Sequence, residues 1–356
     1  MDLRSERVET AGADDAIELF FEKGWTDGLP VVPPTAERVE RMIAAGGRAP
    51  EELLGLIPPK GSAGTVEKLA VNAVMAGCRP DYFPVVLAAV EAMLAPGFNW
   101  NGVATTAHIA SPLVIVNGPV RKHIGVNCGW GVFGNGWRAN GTIGRAVALI
   151  MWNLGGAIPG ETCRKTMGHP GKWSYCIGEN EEASPWPPFH AERGFKPEQS
   201  TVTVFGCEAP HGVRAVGGTK AILNSISSAY STIANNNIAY MGEALVVIGP
   251  LCADEFKREG WSKQDVQQSI WQRARLPVGV VDGDKTYSEG LEHHFWPPWV
   301  NRDDPRALAP MTKRSEDIHV LVAGGYGRSC AICPGWGEFG GFAVTREVRL
   351  ASGQSE

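Results

Sequence analysis

The chain has 356 residues, enough for about two domains of ordinary size, and its 44% hydrophobic and 20% charged residues describe a folded globular protein and exclude a disordered or fibrous one. Thirty-three basic against 38 acidic residues give a net charge of −5 with no long run of either sign, which argues against nucleic acid as a partner. No apolar stretch reaches the ~18 residues of a membrane span, and the acidic opening MDLRSERVETAGADD lacks the pattern of a signal peptide, so the reading is a cytoplasmic protein with no membrane partner. Eight cysteines over this length are too sparse for a disulfide scaffold, which points to reduced thiols that are buried or chemically used.

In chain order, residues 14–23 have helical spacing and stop at Gly24, and WTDGLPVVPPT (25–35) is too rich in Pro and Gly for a helix or interior strand. Residues 1–60 therefore read as a helix and an extended arm, and an arm with little of its own to pack on suggests a homo-oligomer. Residues 65–77 and 80–95 predict two buried helices, and 137–155, 217–234 and 262–275 predict three more, the last capped by Ser262. Residues 200–206, 243–249 and 342–350 read as strands, and WSYCIG (173–178) as a short one. The fold class is α/β, with mixed or parallel sheets and flanking helices, in a first lobe over 61–205 and a second over 206–356.

Three apolar runs end in glycine, at Gly118, Gly249 and Gly324, and each glycine is followed twelve positions later by a tryptophan: Trp130, Trp261 and Trp336. This predicts an internal repeat of strand, glycine turn and helix, with the turns sharing one mouth as at the strand ends of open α/β sheets. Two long segments, 156–199 and 276–316, lack periodicity but carry SPWPPFH (184–190) and HHFWPPW (293–299). Paired prolines stiffen these segments, so Trp186 and Trp296 are expected to wall one substrate pocket.

The words GWTDGLPVVPPT, GTVEKLAVNAVMAGC, LVIVNGP, WRANGTIGRA, GHPGKWSYCIGENEEASPW, FHAERGF and GWSKQDVQ run from Gly24 onward through most of the chain. In them the sequence resembles the long region of the UGSC family (seleno)proteins. The resemblance implies thiol or selenol work on small molecules, without a settled reaction. The chain lacks a U-G-S-C or C-G-S-C string, so the resemblance also admits a separate thiol or selenol protein as partner.

The residues themselves suggest several sites. Cys330-Ala-Ile-Cys333 is the single C-x-x-C, placed after a glycine turn where a nucleophile or redox pair would be served; a closed zinc site lacks two further ligands. His169 and Lys172 of GHPGK, with Glu179 beyond the short strand, offer a base, a cation and a carboxylate, with His169 the first choice of general base. His108 precedes the first repeat strand, and His211 follows the strand of residues 200–206 beside Cys207. The glycine-rich stretch 127–140 reads as an anion cradle in which Arg138, with Asn135, Trp137 and Asn140, holds a carboxylate.

Three functions follow from this set. The first is an enzyme acting on a small carboxylate-bearing molecule by acid/base chemistry, with a thiol available as nucleophile or redox group. The second is a metal-dependent hydrolase or lyase whose divalent ion is held among His108, His169, His190 and His211. The third is a non-catalytic binding subunit of a thiol or selenol protein. No motif requires a cofactor.

Overall fold

The computed structural model describes residues 1–233, 235–282 and 295–350. The chain opens with α1 (Ala13–Glu22), α2 (Ala36–Gly46), the hairpin β1 (Leu53–Ile57) and β2 (Ser62–Thr65), then α3 (Val66–Ala76), α4 (Phe83–Met93) and α5 (Trp100–Thr105). It continues through β3 (Ser111–Asn117), α6 (Pro119–His123), α7 (Arg138–Asn153), β4 (Cys176–Gly178), α8 (Phe189–Glu192), β5 (Thr201–Cys207) and β6 (His211–Arg214). The remainder is α9 (Thr219–Tyr230), α10 (Asn236–Tyr240), β7 (Ala244–Ile248), α11 (Pro250–Arg258), α12 (Lys263–Arg273), β8 (Arg275–Pro277), α13 (Val278–Asp282), β9 (Leu308–Pro310), β10 (Ile318–Val322), β11 (Ser329–Pro334) and β12 (Val344–Glu347). The fold is α/β, and among the described residues no single helix is long and apolar enough to cross a membrane.

Local chemistry sets the helix ends. Thr35 and Thr65 cap α2 and α3 by accepting from the backbone N–H of Arg38 and Lys68, and Gly47 and Gly77 end the two helices in the left-handed conformation. Ser262 caps α12 in a reciprocal box with Asp265, as the sequence predicts.

Two four-stranded sheets carry the body, ordered β4-β3-β5-β12 and β10-β7-β11-β6. Each consists of one parallel pair, β3 with β4 or β7 with β10, followed by two antiparallel neighbours. Alternation along the strands sorts their side chains into layers. Leu113, Ile115, Phe205, Leu245, Val247 and Leu321 meet between the sheets. Val114, Val116, Val202 and Val204 face α3, α4 and α7, while Val246, Ile248, Val320 and Val322 face α9, α11 and α12. The result is four layers, helix–sheet–sheet–helix.

The equal strand plans make the two halves counterparts. β3 and β7 each run into a Gly-Pro turn and a helix, and β5 corresponds to β11. The last strand of each half crosses over, so β6, which follows β5, borders β11, and β12, which follows β11, borders β5. The crossing point is an antiparallel bridge between Cys207 and Gly335. A lobe boundary between residues 205 and 206 would fall inside β5. Gly335 is tight there: a Cβ on it would lie 2.2 Å from the Glu243 carbonyl oxygen. Gly335→Ala should therefore lower stability by about 3 kcal/mol, read as a shift of the urea midpoint; an unchanged midpoint would show slack at the crossing.

Three expectations are corrected here. The repeat is twofold, not threefold, because β10 is the counterpart of β4 and not of β3. The shared Gly-to-Trp spacing has no common structure: Trp130 is an exposed loop residue, Trp261 packs on Phe256, and Trp336 packs on Phe339. The arm also has a bed within its own chain, which removes the reason for inferring an oligomer from it. Arg145 grips Asp27, Trp152 Nε1 donates to the Gly24 carbonyl, and Val32 N–H donates to the Met75 carbonyl.

Candidate functional site

Between the start of β3, the flank of α7 and the segment 157–173 lies a cavity of about 370 Å³. Ala104, Ala110, Pro112, Val147 and Met151 make it largely apolar, and exposed Met167 and Trp173 stand among its lining residues. The returning segment is shaped by short-range bonds. Cys163 N–H donates to the Ile158 carbonyl, Gly160 turns with positive φ, and Arg164 and Thr166 N–H bond the carbonyls of Thr105 and Ala107.

These bonds hold Cys163, Lys165, His169 and Lys172 in the cavity wall. Lys172 Nζ donates to Cys163 Sγ at 3.2 Å. Burial pushes the Cys163 thiol up, but the Lys165 backbone N–H and the Lys172 ammonium together outweigh it, so its pKa lies below the ordinary 9.0. Lys165 donates to the Val103 carbonyl, and burial drives its pKa down to about 8, with the charge of Lys172 adding to the effect. His169 accepts from Gly171 N–H at Nδ1, and its Nε2 is buried beside the Cys207 carbonyl without a well-formed hydrogen bond. Burial holds this imidazole below 6.5, so it is neutral at pH 7. Asp27 also lines the cavity, but Arg145 binds it at 2.9 and 2.8 Å and neutralises it. The cavity thus offers two amines, a thiol, a neutral imidazole and a surplus of positive charge.

Behind His169 lies a polar cluster on the seam between the sheets. His108 Nε2 pairs with Glu208 Oε1 at 2.8 Å, and the charge of Glu208 also acts on His169. The His169 ring meets Tyr175 edge-on, and Tyr175 Oη donates to the Glu208 carbonyl at 2.9 Å. Cys207 and Cys333 flank the same hydroxyl at 3.8 and 3.5 Å, and burial, reinforced by each other's proximity, holds the Cys207 thiol protonated.

Of the residues singled out from sequence, His169 and Lys172 share the cavity and His108 connects through Glu208. The others stand elsewhere. Arg138 donates twice to the Gly77 carbonyl, at 3.1 and 3.0 Å, and so ends α3 instead of cradling an anion. Asn140 is buried and bonds the backbone of Asn127 and Cys176, while Asn135 and Trp137 are exposed on the preceding loop. Trp186 and Trp296 are core anchors whose indole N–H groups bond the carbonyls of Trp261 and Ile238; neither lines the cavity. Residues 293 and 294 of the second Trp-Pro-Pro unit lie outside the described residues.

Cys330 and Cys333 occupy one strand three positions apart, so they point to opposite faces and cannot form a redox pair in place. Cys330 instead pairs with Cys252, and Cys333 faces the layer between the sheets. His211 is exposed at the start of β6, and His190 is buried with Nε2 on the Lys196 carbonyl. The four histidines do not converge, and among the described residues no group of three or more His, Cys, Asp or Glu is placed to hold a metal.

Glu179 sits past the far end of β4, where Asn117 Nδ2 at 2.5 Å and Phe189 N–H at 2.7 Å bond its carboxyl. Its neighbours Glu181 and Glu182 bind Arg121, so this acidic run does not fold back toward His169. The cavity opens at the beginning of β3, opposite the end that carries Gly118; the expected shared mouth of glycine turns is not where the reactive groups gather. Sequence reasoning missed Cys163 and Lys165. Their one local signal is a thiol followed within ten residues by two lysines and the HPGK turn.

No protein-family model matches the chain, and no curated protein shows significant sequence similarity to it.

Proposed function

We propose that the chain is an enzyme acting on a small carboxylate-bearing organic molecule in the cavity beside α7. The observation that carries this reading is the Cys163 thiol held 3.2 Å from the Lys172 ammonium, in an apolar recess with His169 and Lys165. Cys163 supplies the reactive sulfur, His169 braces the wall through Gly171 N–H on its Nδ1, and the lysine charge attracts the carboxylate. The UGSC resemblance supports thiol chemistry, and its motif GHPGKW contains two of the four groups.

The test compares two alkylating agents, one anionic and one neutral. Iodoacetate should label Cys163 faster than iodoacetamide, with their rate ratio raised about tenfold over that for free cysteine, and acetate or propionate should protect the thiol. A ratio equal to that of free cysteine would discard the anion-attracting cavity.

A further inference from the structure

Lys165 has a setting that thiol chemistry alone does not use. Its segment is held rigidly along residues 105–107, its Nζ donates to the Val103 carbonyl, and its side chain enters an apolar recess. Among the described residues it has no carboxylate partner, while a second cation, Lys172, lines the same cavity and its charge acts on Lys165. Burial beside another positive charge is the arrangement that frees a lysine amine to act as a nucleophile.

We infer that Lys165 forms a Schiff base and that the molecule taken by the cavity is an oxo acid, carrying a ketone or aldehyde next to or one carbon removed from its carboxylate. This deepens the function proposed above and rests on the cavity being a carboxylate site. The amine lone pair attacks the carbonyl carbon to give a carbinolamine; loss of one water, with a proton supplied to the departing hydroxyl, gives the protonated imine. No oxidant or reductant is needed. Lys172 faces the carboxylate, and the imine draws electrons from the adjacent carbon so that its proton becomes removable. At pH 7 an amine with a pKa of about 8 instead of 10.5 presents about three hundredfold more free base than an exposed lysine.

The full chain is incubated at pH 7 with pyruvate or acetoacetate and sodium cyanoborohydride, then mapped by peptide mass spectrometry. The expected result is one reduced adduct per chain at Lys165, formed about a hundredfold faster than at any other lysine, absent with propionate and lost in Lys165→Arg. Mapping the unaltered chain decides the matter even where that variant folds poorly. Adducts scattered over surface lysines, or none at Lys165, overturn the inference. If they are accompanied by preferential iodoacetate labelling of Cys163, the carboxylate site stands and only the imine falls; if that preference fails too, both fall.

Discussion

Lys172→Met should cut the rate of Cys163 alkylation at pH 7 by about tenfold and move the midpoint of its pH–rate profile upward by about one unit. In the native protein the ammonium at 3.2 Å and the Lys165 backbone N–H overcome the burial that would otherwise raise the thiol. Removing the ammonium leaves burial opposed by less, so the thiol holds its proton to higher pH and the thiolate fraction at neutrality falls. Iodoacetamide is the suitable reagent because it carries no charge of its own to be attracted. Lys172→Arg should retain most of the rate, and Cys163→Ser should remove the labelled peptide altogether. An unshifted midpoint in Lys172→Met would mean that the lysine does not control the sulfur.

Glu179→Gln should make the protein more stable above pH 7, by about 3 kcal/mol relative to the difference seen at pH 4. The carboxyl is fully buried, and burial raises its pKa from 4.5 to about 7, with the Lys263 charge and two hydrogen bonds offsetting only part of the rise. A folded pKa above the unfolded one means that between these values the folded chain keeps a proton the unfolded chain has released. Stability therefore falls as pH climbs from about 4.5 to 7 and levels off beyond, where the buried group is ionised. Glutamine has no proton to lose, and its amide oxygen can still accept from Asn117 and Phe189. Urea melts of both proteins from pH 4 to 8 would show the two curves diverging; parallel curves would mean that Glu179 stays charged throughout.

Helices were the most legible part of the sequence. The runs at 65–77, 137–155 and 262–275 appear as α3, α7 and α12 within a few residues, because a 3.6-residue period marks each, Thr65 and Ser262 cap the first and last, and Gly77 stops α3. β11 was not legible: Cys-Ala-Ile-Cys between glycine turns reads as a redox loop, and only pairing to β7 and β6 makes it a strand that sends its thiols to opposite faces. Trp186 and Trp296 misled for a similar reason, since a proline-stiffened tryptophan is as useful to a core as to a pocket. The site was half visible. His169 and Lys172 announce themselves in one turn, whereas Cys163 acquires its meaning from walls supplied by β3 and α7. Arg138 failed as an anchor because a carbonyl at the end of a distant helix claims its guanidinium, a contact no local pattern reveals.

The crossing of β6 and β12 has a bearing on how such a molecule is put together. Cut within the four residues between β6 and α9, each fragment would lack one border strand and carry a spare one that fits only the other fragment. The architecture is that of two interlocked subunits tethered head to tail, and the tether fixes their stoichiometry at one to one. The two halves are also unlike inside, for one holds lysines and a thiol in the cavity beside α7.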